Sequence, residues 1–441
     1  MTSPASAAPV SGVVPASPAD DLVEGDRIEL TVGAPAHGGH CVARFGGPHG
    51  RVVFVRHALP GERVTAEITE RHRGYLRADA VEIHEPSPDR VQAPCRFAHP
   101  GGCGGCDLQH VSADAQLRWK TEVVREQLSR LAGLTPEDQD RLSVRVQPLT
   151  PGEAGLLGWR TRVRYAIDAA GRPGLLQHRS HQVVPIDRCL IAHPAIQELD
   201  LLRHQWPASN AVQAVAATGG DVAVLDRPAG TSGSAADDPT EEMGGAGLVR
   251  LSGPEKITEV VGERSWAIAP ESFWQVHPAA AATLTEAVLA MLRPAPGEIA
   301  WDLYGGAGLF AAAVAERTGA RTTVVESSPL GVAAARAELA GLPQVEVVAA
   351  RVETALSRRR VTGPVDLVVL DPPRSGAGAK VVRGIVAAEP RAVAYVACDP
   401  AALARDVKTF RSLGWELAEL RAFDCFPMTQ HVECVALLLP A

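Results

Sequence analysis

Tyr395-Val396-Ala397-Cys398-Asp399-Pro400-Ala401-Ala402-Leu403-Ala404-Arg405-Asp406 is the stretch on which the fold turns. An apolar, β-prone run ends at one cysteine, a proline bends the backbone, and a helical pattern begins. Such a strand-to-helix switch is where open α/β sheets place their chemistry. The helix start just downstream offers its positive dipole end to the thiol, which favours thiolate. A lone cysteine is more often a small buried hydrophobe, so the weight of Cys398 as a nucleophile rests on its surroundings.

Outward from there, residues 265–441 alternate apolar strands with helical patterns, the mark of a doubly wound α/β sheet. Ile299-Ala300-Trp301-Asp302-Leu303-Tyr304 runs into Gly305-Gly306-Ala307-Gly308, and a helix follows from Leu309 to Arg317. Glycines there let the backbone approach a nucleoside-containing ligand. The next strand, Thr322-Thr323-Val324-Val325-Glu326, delivers a carboxylate 18 residues after Gly308, suited to ribose hydroxyls. A buried strand from Val365 to Leu370 carries Asp371 to the same edge, within Asp371-Pro372-Pro373-Arg374. Gly306-x-Gly308-x-x-Ala311 also satisfies a dinucleotide fingerprint, so an NAD-dependent oxidoreductase competes with S-adenosylmethionine binding. The Asp-Pro-Pro turn and the cysteine switch, which has no part in hydride transfer, favour S-adenosylmethionine.

Towards the other end, residues 22–90 hold short apolar alternations cornered by Gly and Pro, among them Arg27 to Val32, Arg51 to Val55, Val64 to Ile68 and Ala78 to Ile83. Strands so closely spaced predict a small OB-like β-barrel. The Arg71-His72-Arg73-Gly74-Tyr75 turn sets positive charge beside an aromatic ring, suited to phosphate and base stacking or to a solvated hairpin tip. Next comes Cys95-Arg96-Phe97-Ala98-His99-Pro100-Gly101-Gly102-Cys103-Gly104-Gly105-Cys106. Two residues between Cys103 and Cys106 let both sulfurs face one metal, with Cys95 as third donor and Cys189 as the best fourth. Four thiolates serve zinc and an iron–sulfur cluster equally. Arg160, Arg162 and Arg164 recur at every second position, predicting one strand face that grips phosphates or lies in solvent. Residues 227–247 read as a low-complexity acidic loop, and residues 1–20 as a disordered tail.

A formal net charge of −8 argues against gross attraction to nucleic acid, so any RNA contact must be local. No apolar run reaches membrane-spanning length. Eight cysteines in 441 residues without a secretory signal point to a reducing, cytoplasmic setting.

Together, the Cys…Cys-Gly-Gly-Cys cluster, the distant Cys189, the glycine loop and the late Cys398-x-Pro400 resemble the RNA 5-methyluridine methyltransferase family, and the first segment resembles a TRAM domain. That resemblance implies a tail at 1–20, a TRAM-like RNA-binding barrel at 21–88 and a small α+β central domain at 89–264. It implies a class I, Rossmann-like methyltransferase domain at 265–441. It implies a [4Fe–4S] cluster on Cys95, Cys103, Cys106 and Cys189, and S-adenosylmethionine held by Gln275, Tyr304, Glu326 and Asp371. His277 stands where the family's Phe-x-Gln-x-Asn segment has asparagine, and Asp399 where Cys-Asn-Pro is usual. Cys398 is the expected nucleophile, adding to C6 of uracil so that C5 can accept a methyl group. Glu433, matching His-x-Glu in His431-Val432-Glu433, is the expected proton acceptor. The expected partner is RNA, ribosomal rather than transfer, met by a monomer with no membrane contact. A non-catalytic RNA-binding protein is disfavoured because nucleophile and base positions are both filled.

Overall fold

The computed structural model describes residues 22–230 and 247–441. The expected tail lies outside the described residues, as does most of the expected loop at 227–247. Arg227 and Pro228, placed in that loop by composition, instead end a strand, Val222–Pro228. The chain divides into two compact units, one of residues 1–100 and 107–112, the other of residues 101–106 and 113–441.

In the first unit five strands close into a barrel in the order Arg27–Ala36, His40–Phe45, Arg51–Arg56, Tyr75–Glu85, Arg63–Arg71. Alternation explains it: Ile28, Leu30 and Val32 point inward while Arg27, Glu29 and Thr31 stay outside. Closure comes from the parallel pairing of Arg51–Arg56 with Tyr75–Glu85, which removes the free edges. His40–Phe45 is a strand that the apolar alternations did not flag. Gly38 and Gly39, both at positive φ, supply the turn that folds it back on Arg27–Ala36.

In the second unit an eight-stranded sheet carries the architecture expected for residues 265–441. Its strands are β1 (Val146–Pro148), β2 (Ala300–Leu303), β3 (Thr322–Glu326), β4 (Val345–Ala349), β5 (Leu367–Leu370), β6 (Ala392–Ala397), β7 (Trp415–Asp424) and β8 (Glu433–Pro440). They lie in the order β4-β3-β2-β5-β6-β8-β7-β1. β2 to β6 are parallel, and β8 runs against both its neighbours. Full burial of β2, β5 and β6 is what parallel strands covered on both faces require. Period-two side chains split into two cores. Trp301, Leu303, Val368, Leu370, Val393 and Tyr395 share one, and Ala300, Val369, Ala392, Ala394 and Val396 the other.

The remainder of this unit is a six-stranded antiparallel sheet and the hairpin Ile257–Val261 with Arg264–Ile268. The expected arginine row fails here. Arg162 is fully buried and paired with Glu259 at 3.0 Å, so it cannot reach phosphate. Arg160 lies before the strand Arg162–Ile167 and, like Arg164, is half-buried, so alternation did not show that Arg162 alone is buried. Breaking such a buried pair costs about 3–5 kcal/mol. Among the described residues no helix is long and apolar enough to cross a membrane.

Candidate active site

Topology gathers the candidate residues. Tyr304 follows β2, Glu326 ends β3, Asp371 follows β5 and Cys398 follows β6, so four neighbouring strands deliver them to one carboxyl edge. β8 is antiparallel, so its first residue, Glu433, lies at that same edge. Ala397 pairs with Cys434 at the end of the ladder, with Cys398 just beyond it on one strand and Glu433 just beyond it on the other, and the Glu433 carboxylate acts on the Cys398 thiol. Asp399 ends the strand locally. Its extended backbone and a 2.7 Å bond from Ala402 N–H to its carboxylate cap the helix Pro400–Ser412.

The glycine loop is strained and closely packed. Tyr304 adopts φ +62, a cost tolerated where function holds the backbone. A Cβ on Gly305 would lie 2.7 Å from Val324, and one on Gly308 would lie 2.5 Å from Leu339. Glu326 accepts the Gly306 N–H at 2.8 Å and the Ser327 and Ser328 N–H groups at 2.6 and 2.5 Å. Asp302 accepts the Ala311 N–H at 2.8 Å with one oxygen, while its other oxygen and the Tyr304 hydroxyl are buried without a partner. Burial, then Asp371 and Glu326, push the Asp302 carboxyl up to about 8. A loop without room for a Cβ at Gly305 and Gly308 and open at Gly306, beside two unsatisfied polar atoms, fits the nucleoside of S-adenosylmethionine. Sequence reading passed over Asp302, although its place three residues before Gly305 was visible.

The reacting pair sits in a field of like charge. Burial pushes the Cys398 thiol up, and the Glu433 and Asp371 carboxylates push the same way, with Arg374 opposing and Asp399 adding to the rise. The helix dipole expected to favour thiolate is therefore outweighed. Glu433 is 2% exposed. Burial and then Asp371 raise its carboxyl well above the usual range, again against Arg374. Arg374 is the cation common to both groups. Cys425 and Cys434 are fully buried in the two cores, as expected of packing residues.

Other expected site residues lie outside these strand ends. Gln275 is half-buried. Its neighbour Val276 is fixed by the Thr161 N–H and hydroxyl, at 2.8 and 2.9 Å. His277 stacks on Trp159, and burial pushes its imidazole down to about 4. Cys103 and Cys106 flank a turn laid on Leu176 to His178. The Gly104 N–H reaches Leu176 O at 2.9 Å, a Cβ on Gly104 would lie 2.5 Å from His178 N, and the Gly105 N–H points to Cys103 Sγ at 3.4 Å. Cys189 is buried beyond Val183–Pro185, the strand paired with Pro173–Leu176. Cys95 belongs to the first unit, its N–H bonded to Gln109. The turn suits thiolate ligation, but among the described residues no three His, Cys, Asp or Glu side chains are grouped to hold a metal.

Similarity to known proteins was assessed next. Residues 22–81 match the TRAM domain, and residues 260–440 match the family described as tRNA (Uracil-5-)-methyltransferase. A Streptomyces avermitilis protein named as an uncharacterized RNA methyltransferase is 49% identical, covering 95% of this chain and 99% of its own. One from Corynebacterium efficiens with the same description is 36% identical, covering 95% and 96%. The crystal structure of the Pyrococcus abyssi tRNA (uracil-54, C5)-methyltransferase with S-adenosyl-L-homocysteine superposes with a TM-score of 0.67 at 22% identity, over 93% of this chain and 99% of that one. The fold is therefore that of a class I methyltransferase with a TRAM barrel.

Proposed function

Given that the chain belongs to the RNA (uracil-5) methyltransferases, which depend on S-adenosylmethionine, we propose that it methylates uridine C5 in ribosomal RNA through a covalent bond between Cys398 and C6. The observation that carries this reading is the register of β6 and β8, which sets Cys398 and Glu433 just beyond the Ala397–Cys434 pair at the carboxyl edge. S-adenosylmethionine supplies an electrophilic methyl group, and Glu326, Tyr304, Asp371 and Gln275 are its proposed holders. Cys398 releases its thiol proton to solvent, adds as thiolate to C6 and leaves C5 electron-rich, so that C5 would take the methyl group and carry it beside its own proton. The charge common to this step is Arg374, which offsets the two carboxylates facing the sulfur. Glu433 then takes the C5 proton, and the sulfur leaves by elimination. Its raised proton affinity makes it a stronger base than a carboxylate in water.

The target base leaves its stack to reach Cys398. In the barrel, Tyr75 stacks on His72 at 4.4 Å and meets Phe54 edge-on at 5.3 Å, with Arg77 5.6 Å from its ring. These rings suit flanking nucleotides. The proposed division assigns RNA holding to 21–88, a structural [4Fe–4S] cluster to 89–264 through Cys95, Cys103, Cys106 and Cys189, and catalysis to 265–441. A monomeric, cytoplasmic enzyme is proposed. A transfer-RNA substrate is the second reading, favoured by the substrates named for the matched family and the Pyrococcus abyssi enzyme. RNA carrying 5-fluorouridine should form a denaturation-resistant adduct with the wild type and none with Cys398→Ala. An adduct that persists in the variant removes Cys398 from the mechanism, and mapping of modified uridines separates the two RNAs.

A further inference from the structure

The helix that starts beside Cys398 also holds the turn on the facing side of the site. Asp406, 4% exposed on Pro400–Ser412, accepts the Ala377 N–H at 2.8 Å, the Gly378 N–H at 3.1 Å and the Tyr395 hydroxyl at 2.7 Å. The Tyr395 hydroxyl, fully buried on β6, accepts the same Ala377 N–H at 3.1 Å. Gly376, at φ +88, lies so close that a Cβ there would meet Asp406 Oδ2 at 2.8 Å and Ala402 Cβ at 3.3 Å. A turn that only needed its following helix capped would use a Ser, Asn or Asp of its own. Here the acceptor comes from 28 to 29 residues along the chain, on the nucleophile's helix.

We propose that Asp406, together with the Tyr395 hydroxyl, is a positioning pair that sets Arg374, on the turn after Asp371, against Cys398. Both attachments of the pair are rigid. One is the strand that ends at the nucleophile, the other the helix that begins there. The turn hangs from them by backbone N–H groups, so its placement does not depend on its exposed side chains. Arg374 is exposed, and without the clasp its guanidinium would be free to leave the sulfur. The inference rests on Cys398 being the nucleophile, and the controls below separate the two.

The test is the single-turnover rate of adduct formation on 5-fluorouridine RNA, with S-adenosylmethionine affinity measured beside it. Asp406→Asn keeps shape and should slow adduct formation on the order of 10- to 100-fold, as sub-ångström misplacement does, with cofactor affinity changed less than about 3-fold. Tyr395→Phe should slow it less. In a cycle with Arg374→Gln, each should be strongly non-additive, because the clasp acts through that guanidinium. A merely structural cap would lower cofactor affinity and adduct rate together, with additive cycles, and that result overturns the proposal. Wild-type adduct rates in folded Asp406→Asn overturn it too. If Asp406→Asn does not fold, the Tyr395→Phe cycle decides alone. An active Cys398→Ala would sink the nucleophile reading instead, whereas an inactive one beside additive cycles sinks only the clasp.

Discussion

The carboxyl edge of the large sheet and the Cys103–Cys106 turn are opposite kinds of site. The turn has the sharper local signal: two cysteines at ligand spacing, with Gly104 packed too tightly against His178 for any side chain. Yet among the described residues no three His, Cys, Asp or Glu side chains are grouped to hold a metal. The edge has weaker local signals, one cysteine and three separate carboxylates. It is nonetheless assembled, because parallel strand order fixes which strand ends are neighbours. A motif fixes the donors it contains. Topology fixes the donors that motifs leave out.

The sharpest way to break the comparison is at Glu433. If the register makes Glu433 the base, Glu433→Gln should lower turnover on the order of 10³-fold while the covalent RNA adduct accumulates, because elimination stalls after methyl transfer. Turnover and adduct level are read from one labelled-RNA gel. Unchanged turnover would return Glu433 to the role of an ordinary strand-end carboxylate, and the edge would lose its claim to be assembled.

A smaller effect sharpens the comparison at Asp302. Its folded value of about 8 lies above the ordinary 3.8, so its contribution to stability is complete below 3.8 and is lost as pH rises through about 8. Relative to Asp302→Asn, the wild type should therefore lose roughly 1.4 kcal/mol per pH unit across that window, seen as a widening difference in denaturation midpoint between pH 5 and 8. Parallel pH curves for the two proteins would mean the carboxyl is solvated and the glycine loop is not packed as described.

Much of the edge was legible in the sequence because strand ends coincide with visible punctuation: glycines after Tyr304, Pro-Pro after Asp371, Pro after Asp399. The doubly wound sheet and the barrel were legible for the same reason. What could not be read was which side chain of a row is buried. Arg160, Arg162 and Arg164 look alike along the chain, and only the partner Glu259, 97 residues away, buries the middle one. The electrostatics of Cys398 were hidden similarly. The adjacent helix start is local and predicts an acidic thiol. Burial and the charges of Glu433 and Asp371 arrive from other strands and reverse the sign. Asp406 was quoted within the deciding stretch, but its clasp on Ala377 and Gly378 needed the fold to be seen.

The smallest effect on turnover, and the most direct probe of the turn, is Cys103→Ser. The Gly105 N–H directed at Cys103 Sγ is the kind of bond that stabilises a thiolate ligand, so the proposed cluster should bleach when that sulfur becomes oxygen. The brown absorbance of the anaerobically purified protein should vanish, and solubility should fall. Turnover of the surviving folded fraction should stay within about 5-fold, because no proposed step passes through the cluster. A colourless wild-type protein loaded with zinc would replace the cluster with the other four-thiolate solution, leaving the edge untouched. A collapse of turnover comparable to that of Glu433→Gln would do more. It would tie the turn to the chemistry and end the contrast between a site completed by motif and a site completed by topology.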